Sequence, residues 1–415
     1  MKLLSFLLTT TLFAGADDTF VLKGVTVHPV TGPDVENASL LVVDGKIAEI
    51  GDAKLKTPKT TKVIEAKGFH VYPGMIDSAT EVGMSEIGSV RETSDVSELG
   101  DFKPQLRAAI AVNPASEHIP VIRANGITAA MAVPDGGVIA GQASLMHLDG
   151  WTWEEMAIRI DAAMHLRFPT ISTGSFFSRT TYPEARRNYE TRLKGLSDYF
   201  EQARRYQKAK TAAGPSFKRD LALEAMQPVL AKKVPIMISA SRERAIKEAV
   251  AWAEKEGVRI VLAEVRRPGA ALALLKEKNI PVILGPTQEL PLEEDDPYDE
   301  AFTVPVEVHK AGVKFAFGSF GNQFSRNLPY QAATAVAFGL PYDEALKSVT
   351  LYPAQIWGVD DRIGSIEKGK DADIILTDGD PLEVKTNVKR MFIRGREVDL
   401  ESKHTKLYKK YLARP

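Results

Sequence analysis

Two glutamates stand at the ends of apolar runs where their carboxyl groups could do chemistry. Glu81 closes the segment 71–83, VYPGMIDSATEVG, and Glu264 lies in the run 259–265, RIVLAEV. Carboxyls on two strand ends that point into one mouth can share acid/base work, one held protonated by the other and by partial burial. They can also serve a hard cation such as Ca²⁺ or Mg²⁺, helped by Ser239 and Ser319. Such ions take six or more oxygens, so four side chains fall short without backbone and water. The plainer alternative is a pair of solvated or ion-paired carboxylates, with Arg91 and Arg266 among the partners. A glycine-rich loop, PDGGVIAGQ at 134–142, offers Gln142 as a substrate-shaping residue or is simply a turn needing positive φ. The polar stretch 80–102 carries Glu86, Arg91, Glu92, Asp95 and Glu98, and long loops inside compact domains are often functional.

Composition removes several chemistries. The 415 residues contain no cysteine, which excludes disulfides, thiolate metal sites, iron–sulfur clusters and a cysteine nucleophile. Net charge is −1 with the signs mixed throughout, so nothing favours nucleic acid. Hydrophobic content of 44% over this length supports a large core and more than one average domain. The start, MKLLSFLLTTTLFAGADD, has a basic residue, an apolar run too short for a bilayer, and Ala14-Gly15-Ala16 as a small-x-small cleavage site. A secretory signal over 1–16, cut near Ala16, is therefore expected. The mature chain is then extracytoplasmic, in a periplasm, and no cysteine follows to carry a lipid anchor.

These side chains need a scaffold. From 20 to 71 the pattern is short strands and turns, with an Asp44-Gly45 hairpin signal, and 364 onward has the same character. Between them, apolar runs at 127–134, 234–240, 259–265, 280–286 and 313–320 alternate with helical stretches, as in βα units around a parallel sheet. The expected fold is α/β: a (β/α)₈ TIM-like barrel over 71–363, plus a small β-sandwich domain built from both chain ends, 17–70 and 364–405. Residues 171–230 fit the repeat poorly and read as a helical insertion, either packed outside the barrel or acting as a lid. The basic tail KHTKLYKKYLARP reads as a solvated or subunit-facing end.

Three segments carry a family resemblance: VVDGKIAEIG (42–51), VYPGMID (71–77), and the long block 326–383 that includes NLPYQAATAVAFGLPYDEALKSVTLYPAQIWGV. Together with the strand spacing they resemble the imidazolonepropionase-like branch of the amidohydrolase superfamily, over about residues 20–400. That resemblance implies hydrolysis of non-peptide C–N bonds in linear or cyclic amides. It implies zinc held by an H-x-H on strand 1, one His each on strands 5 and 6, and an Asp on strand 8, with a carboxylated Lys on strand 4 in some members. Here the first pair falls on Ala79 and Glu81, the next two on Ser239 and Glu264, and Gly318-Ser319 is followed by Phe320. None of the expected ligand types is kept, and the seven histidines (His28, His70, His118, His147, His165, His309, His404) are not read into matching strand ends.

The chemical consequence is large. A zinc-bound water drops from a pKa of 15.7 to about 7, roughly 12 kcal/mol of hydroxide formation at 1.36 kcal/mol per pH unit. A lone general base contributes about 3–5.5 kcal/mol. No cofactor is therefore expected, and the site is read as a degenerate metal site in a non-catalytic protein that binds or partners, pairing with an active relative or forming a homo-oligomer. The alternative is an active C–N hydrolase using Glu81 and Glu264 without metal or with an atypical one. A small amide-like ligand would then meet a pocket of Ala79, Arg91, Gln142, Ser239, Ser319 and Phe320. A transport-type solute binder on the same barrel is a third reading.

Overall fold

The computed structural model describes residues 18–59, 61–175, 178–214, 217–291 and 296–414; the expected signal segment 1–16 lies outside them. Eight strands form one sheet that curls into a barrel. In chain order they are Met75–Thr80, Ile127–Ala132, Ile139–His147, Ala157–Arg167, Ile236–Ser239, Ile260–Val265, Val282–Leu284 and Phe315–Phe317, hereafter the first to eighth barrel strands. Backbone bonds from the segment after the eighth strand close the ring onto the first, Phe320 N–H to Ala79 O at 2.8 Å and Glu81 N–H to Gly321 O at 3.2 Å. The second, fifth, seventh and eighth strands are buried on both faces, which is why they read as apolar runs.

One strand departs from the expected repeat. The third pairs antiparallel with both the second and the fourth, whereas the first two and the fourth to eighth pair in parallel. The connections 133–138 and 148–156 are too short for a crossover, which needs a dozen residues or more, so the chain turns straight back. The inside is filled by alanines, branched aliphatics and methionines, among them Ile76, Ala129, Met131, Ala163, Met237 and Ala316. Trp357 and Ile363 seal the end at the strand starts, where Arg159 donates to Trp357 O at 2.9 Å.

Amphipathic helices pack outside. Glu243–Glu256 turns Ile246, Ala249, Val250 and Ala253 inward and stops at Gly257, whose φ of 66° is the left-handed cap that glycine tolerates best. Within 171–230 the main element is the helix Tyr182–Ala213. It lies on the outside of the barrel, with Phe200 edge-on to Trp252 at 5.2 Å and Arg204 bonded to Glu256 at 2.6 Å.

A second eight-stranded sheet joins both chain ends: five strands between Phe20 and Pro73, and Ile374–Thr377, Val388–Ile393 and Arg396–Val398. Phe20 stacks on Phe392 at 4.4 Å, fastening the start to the end. Asp44 and Gly45 both take positive φ, 50° and 75°, as a two-residue hairpin requires. The passage between the sheets is the Pro73-Gly74 step. A Cβ on Gly74 would lie 2.1 Å from Thr128 Oγ1, so only glycine lets the first barrel strand start there. Among the described residues no helix is long and apolar enough to cross a membrane.

Candidate functional site

Below the barrel mouth, Asp77 ties the first strand to the segment after the eighth. Its Oδ1 accepts from the N–H groups of Ser319 (3.0 Å) and Ala79 (3.2 Å), and its Oδ2 accepts from Ser319 Oγ at 2.6 Å. The carboxyl is wholly buried, and burial raises its pKa to about 7 against the opposing pull of Ser319, Ala79 and Ser325. Ser325 Oγ continues the strut, 2.7 Å from Ser319 Oγ and 2.9 Å from Thr80 Oγ1.

The mouth itself is organised by Arg167, the last residue of the fourth strand. Its Nε and Nη2 meet the two oxygens of Asp135 in a fork, the second bond at 2.8 Å, and Nη2 stands 3.9 Å from Glu264 Oε1. Hydrogen bonding to Asp135 raises the Arg167 pKa, and the charges of Asp135, Glu264 and Glu81 add to it. Burial works to raise Asp135, but the bonds from Arg167 and the Gly136 N–H outweigh it and hold this carboxyl below its usual range. Glu81 is raised by burial and by Asp135, against the pull of Arg167. One guanidinium thus sits among three carboxyl groups. The cavity they line, with Phe320 and Thr80, is ≈ 30 Å³, room for one or two waters.

His165, two residues before Arg167 and facing the same way, also lines this cavity. Its Nδ1 is 2.6 Å from Pro134 O and its Nε2 is 3.0 Å from Ser239 Oγ. A carbonyl only accepts, so the proton resides on Nδ1; burial lowers the pKa and keeps the ring neutral, so Nε2 accepts the serine hydroxyl. Both ring nitrogens are engaged. Glu264 and Phe320 each hold positive φ, 56° and 52°, a conformation costly for residues with a Cβ and concentrated at ligand sites.

Residues 71–398 match the amidohydrolase family. The chain belongs to that family. A solved amidohydrolase from Thermotoga maritima MSB8 superposes with a TM-score of 0.82 at 28% identity, covering 92% of this chain and 99% of that one. An adenosine deaminase from Xanthomonas campestris with bound zinc shares the fold at a TM-score of 0.52 and 14% identity, covering 94% and 96%. A Xaa-Pro dipeptidase does so at 0.56 and 15%, covering 92% and 100%. By sequence, 71 residues are 41% identical to the amidohydrolase tasK of Hapsidospora irregularis, a stretch of 17% of this chain and 7% of that protein.

Within this amidohydrolase barrel the residues named from sequence divide. Glu81, Glu264 and Phe320 meet at the mouth. Ser239 stands behind it, bonded to His165, and Ala79 and Ser319 lie beneath, around Asp77. Gln142 is buried elsewhere, its amide donating to Pro104 O at 2.8 Å. Arg91 is exposed in a short 3₁₀ turn and does not line the cavity, and Arg266 pairs with Glu289. The charge partner of Glu264 is Arg167. Asp135, His165 and Arg167 do not stand out in the sequence because the fourth strand carries no clear strand signal: Arg159 and Asp161 interrupt its apolar pattern. With that strand placed, His165 does reach a strand end at the mouth.

The family commonly binds metal. Among the described residues no three His, Asp or Glu side chains are arranged to hold an ion. The donor set also argues against one, because a guanidinium occupies the space between the carboxylates and both nitrogens of the nearest imidazole are bonded.

Proposed function

We propose that this amidohydrolase-family chain has a degenerate metal site and acts by binding rather than by the family's metal-activated water, working outside the cytoplasm after signal removal. The carrying observation is the filled mouth. The resemblance puts the ligand positions on Ala79, Glu81, Ser239, Glu264 and Phe320, and the cavity lined by Glu81, Glu264, Phe320 and Arg167 is ≈ 30 Å³. The kind of partner that suits this reading is a second barrel, its own or that of an active relative. Elemental analysis of the purified mature protein tests it. Less than 0.1 equivalent of metal is expected on the argument that a guanidinium repels a cation, and one tight equivalent of zinc would overturn it.

A second reading, hydrolysis of C–N bonds by Glu81 and Glu264 without metal, is favoured by the raised Glu81 and the strained backbone of Glu264. It requires that Glu81→Gln/Glu264→Gln abolish turnover on a panel of linear and cyclic amides. Unchanged turnover excludes these roles.

A further inference from the structure

We infer that Arg167 is the barrel mouth's own cation: its guanidinium forks onto one carboxylate, stands beside a second and shares the cavity with a third, each from a different strand end, and thereby excludes a divalent ion. The inference rests on the reading of a degenerate metal site and adds the residue responsible for it. Glu81 follows the first strand, Asp135 the second, and Glu264 lies in the sixth. No chain connectivity brings these groups together, and like charges at such range repel unless something positive stands between them.

Arg167 is the group that does so. It forks onto Asp135 and reaches Glu264, and its charge acts on Glu81. It extends from the fourth strand at the same level as Ser239, its registered neighbour on the fifth. No lysine or second arginine lines the cavity. Three acidic groups alone would not mark a cation site; what marks this one is the cation already in it, attached to the chain. A planar fork suits carboxylates better than a lysine would, since it bonds both oxygens of one while facing another.

Among the described residues the carboxylates are not arranged around an ion while Arg167 is in place; removing the guanidinium should free them to close on a hard divalent ion, because the donors released are carboxylate oxygens. The test compares wild type, Arg167→Gln, Arg167→Lys and Arg167→Gln/Glu264→Gln as full mature chains. Mn²⁺ binding is followed by electron paramagnetic resonance, and melting is measured with and without millimolar MnCl₂. Arg167→Gln is expected to bind about one equivalent and to melt several degrees higher with Mn²⁺ than without, since an ion bound only to the folded state stabilises it. Wild type and Arg167→Lys should do neither, and the double variant should bind at least tenfold more weakly than Arg167→Gln. If Arg167→Gln folds and binds no Mn²⁺, the inference fails. It fails equally if that variant does not fold and Mn²⁺ does not restore folding. One equivalent of metal in the wild type would instead sink the reading of a degenerate site on which the inference stands.

Discussion

Replacing Asp77 by Asn should remove a pH dependence that the wild type carries. The folded-state pKa of Asp77 is raised from 3.8 to about 7 by burial. Below the unfolded value the carboxyl is protonated in both states and folding is favoured in full. As pH rises from about 4 to 7 the unfolded chain loses its proton first, so the stabilising contribution drains away and is gone above the folded pKa. A rise of roughly three pH units at 1.36 kcal/mol each gives about 4 kcal/mol as an upper bound. Asparagine mimics the protonated form. Its oxygen can accept the Ser319 and Ala79 N–H groups, and its amide can donate to Ser319 Oγ, which turns its hydroxyl to Ser325 or Gly321 O. Unfolding entropy of roughly 2 cal/mol/K per residue over this chain makes 1 kcal/mol worth about 1 °C, so the full effect is about 4–5 °C. Melting by scanning calorimetry at pH 4.5, 5.5, 6.5 and 7.5 should show the difference, Asp77→Asn minus wild type, growing steadily with pH. Parallel curves would refute the reasoning, whatever their offset.

Three further outcomes follow from packing and backbone. Glu264→Gly should be more stable than Glu264→Ala by about 1 kcal/mol, the reverse of the usual order, because only glycine is at ease at this φ; chemical denaturation decides, and an Ala variant at least as stable counts against the strain. Phe200→Ala should cost about 3–5 kcal/mol, since the ring is fully buried against Trp252; a loss under 1 kcal/mol in urea unfolding would mean the long helix is loosely docked. Gly74→Ala should sharply lower soluble yield, and Thr128→Ala should recover part of it by removing the two closest atoms; no recovery in the double variant would place the fault elsewhere.

Much of the fold could be read from the chain because its signals are local. The Asp44-Gly45 turn, the apolar strands at 236, 260, 282 and 315, and the helix Glu243–Glu256 each announce themselves by composition and period. The third and fourth barrel strands did not. Only a single helical turn, Trp153–Met156, separates them, and the fourth begins with the sequence Ala-Ile-Arg-Ile-Asp, whose Arg159 and Asp161 break the apolar run. The site suffered the same loss. Glu81, Glu264 and Phe320 are legible because they stand at or just beyond the ends of apolar runs, whereas His165 and Arg167 end a strand whose apolar pattern is broken. Asp135 was visible only as part of a glycine turn, since nothing in a sequence tells which arginine will return to it from the end of the fourth strand. Asp77 was noted as a family landmark, and its role as a buried strut depends on Ser319, 242 residues away.

The reversed third strand has a consequence for how the molecule is made. Residues 127–167 form an up-down-up meander joined by the connections 133–138 and 148–156, shorter than the crossovers that join the parallel neighbours from the fourth strand to the eighth. Closing short loops sacrifices little chain entropy and happens fast. This barrel therefore contains a three-stranded unit of locally connected strands, flanked by the first strand on one side and the fifth on the other. Arg167 lies at the edge of that meander, so the residue at the centre of the mouth's charges is anchored in the part of the barrel built from its shortest connections.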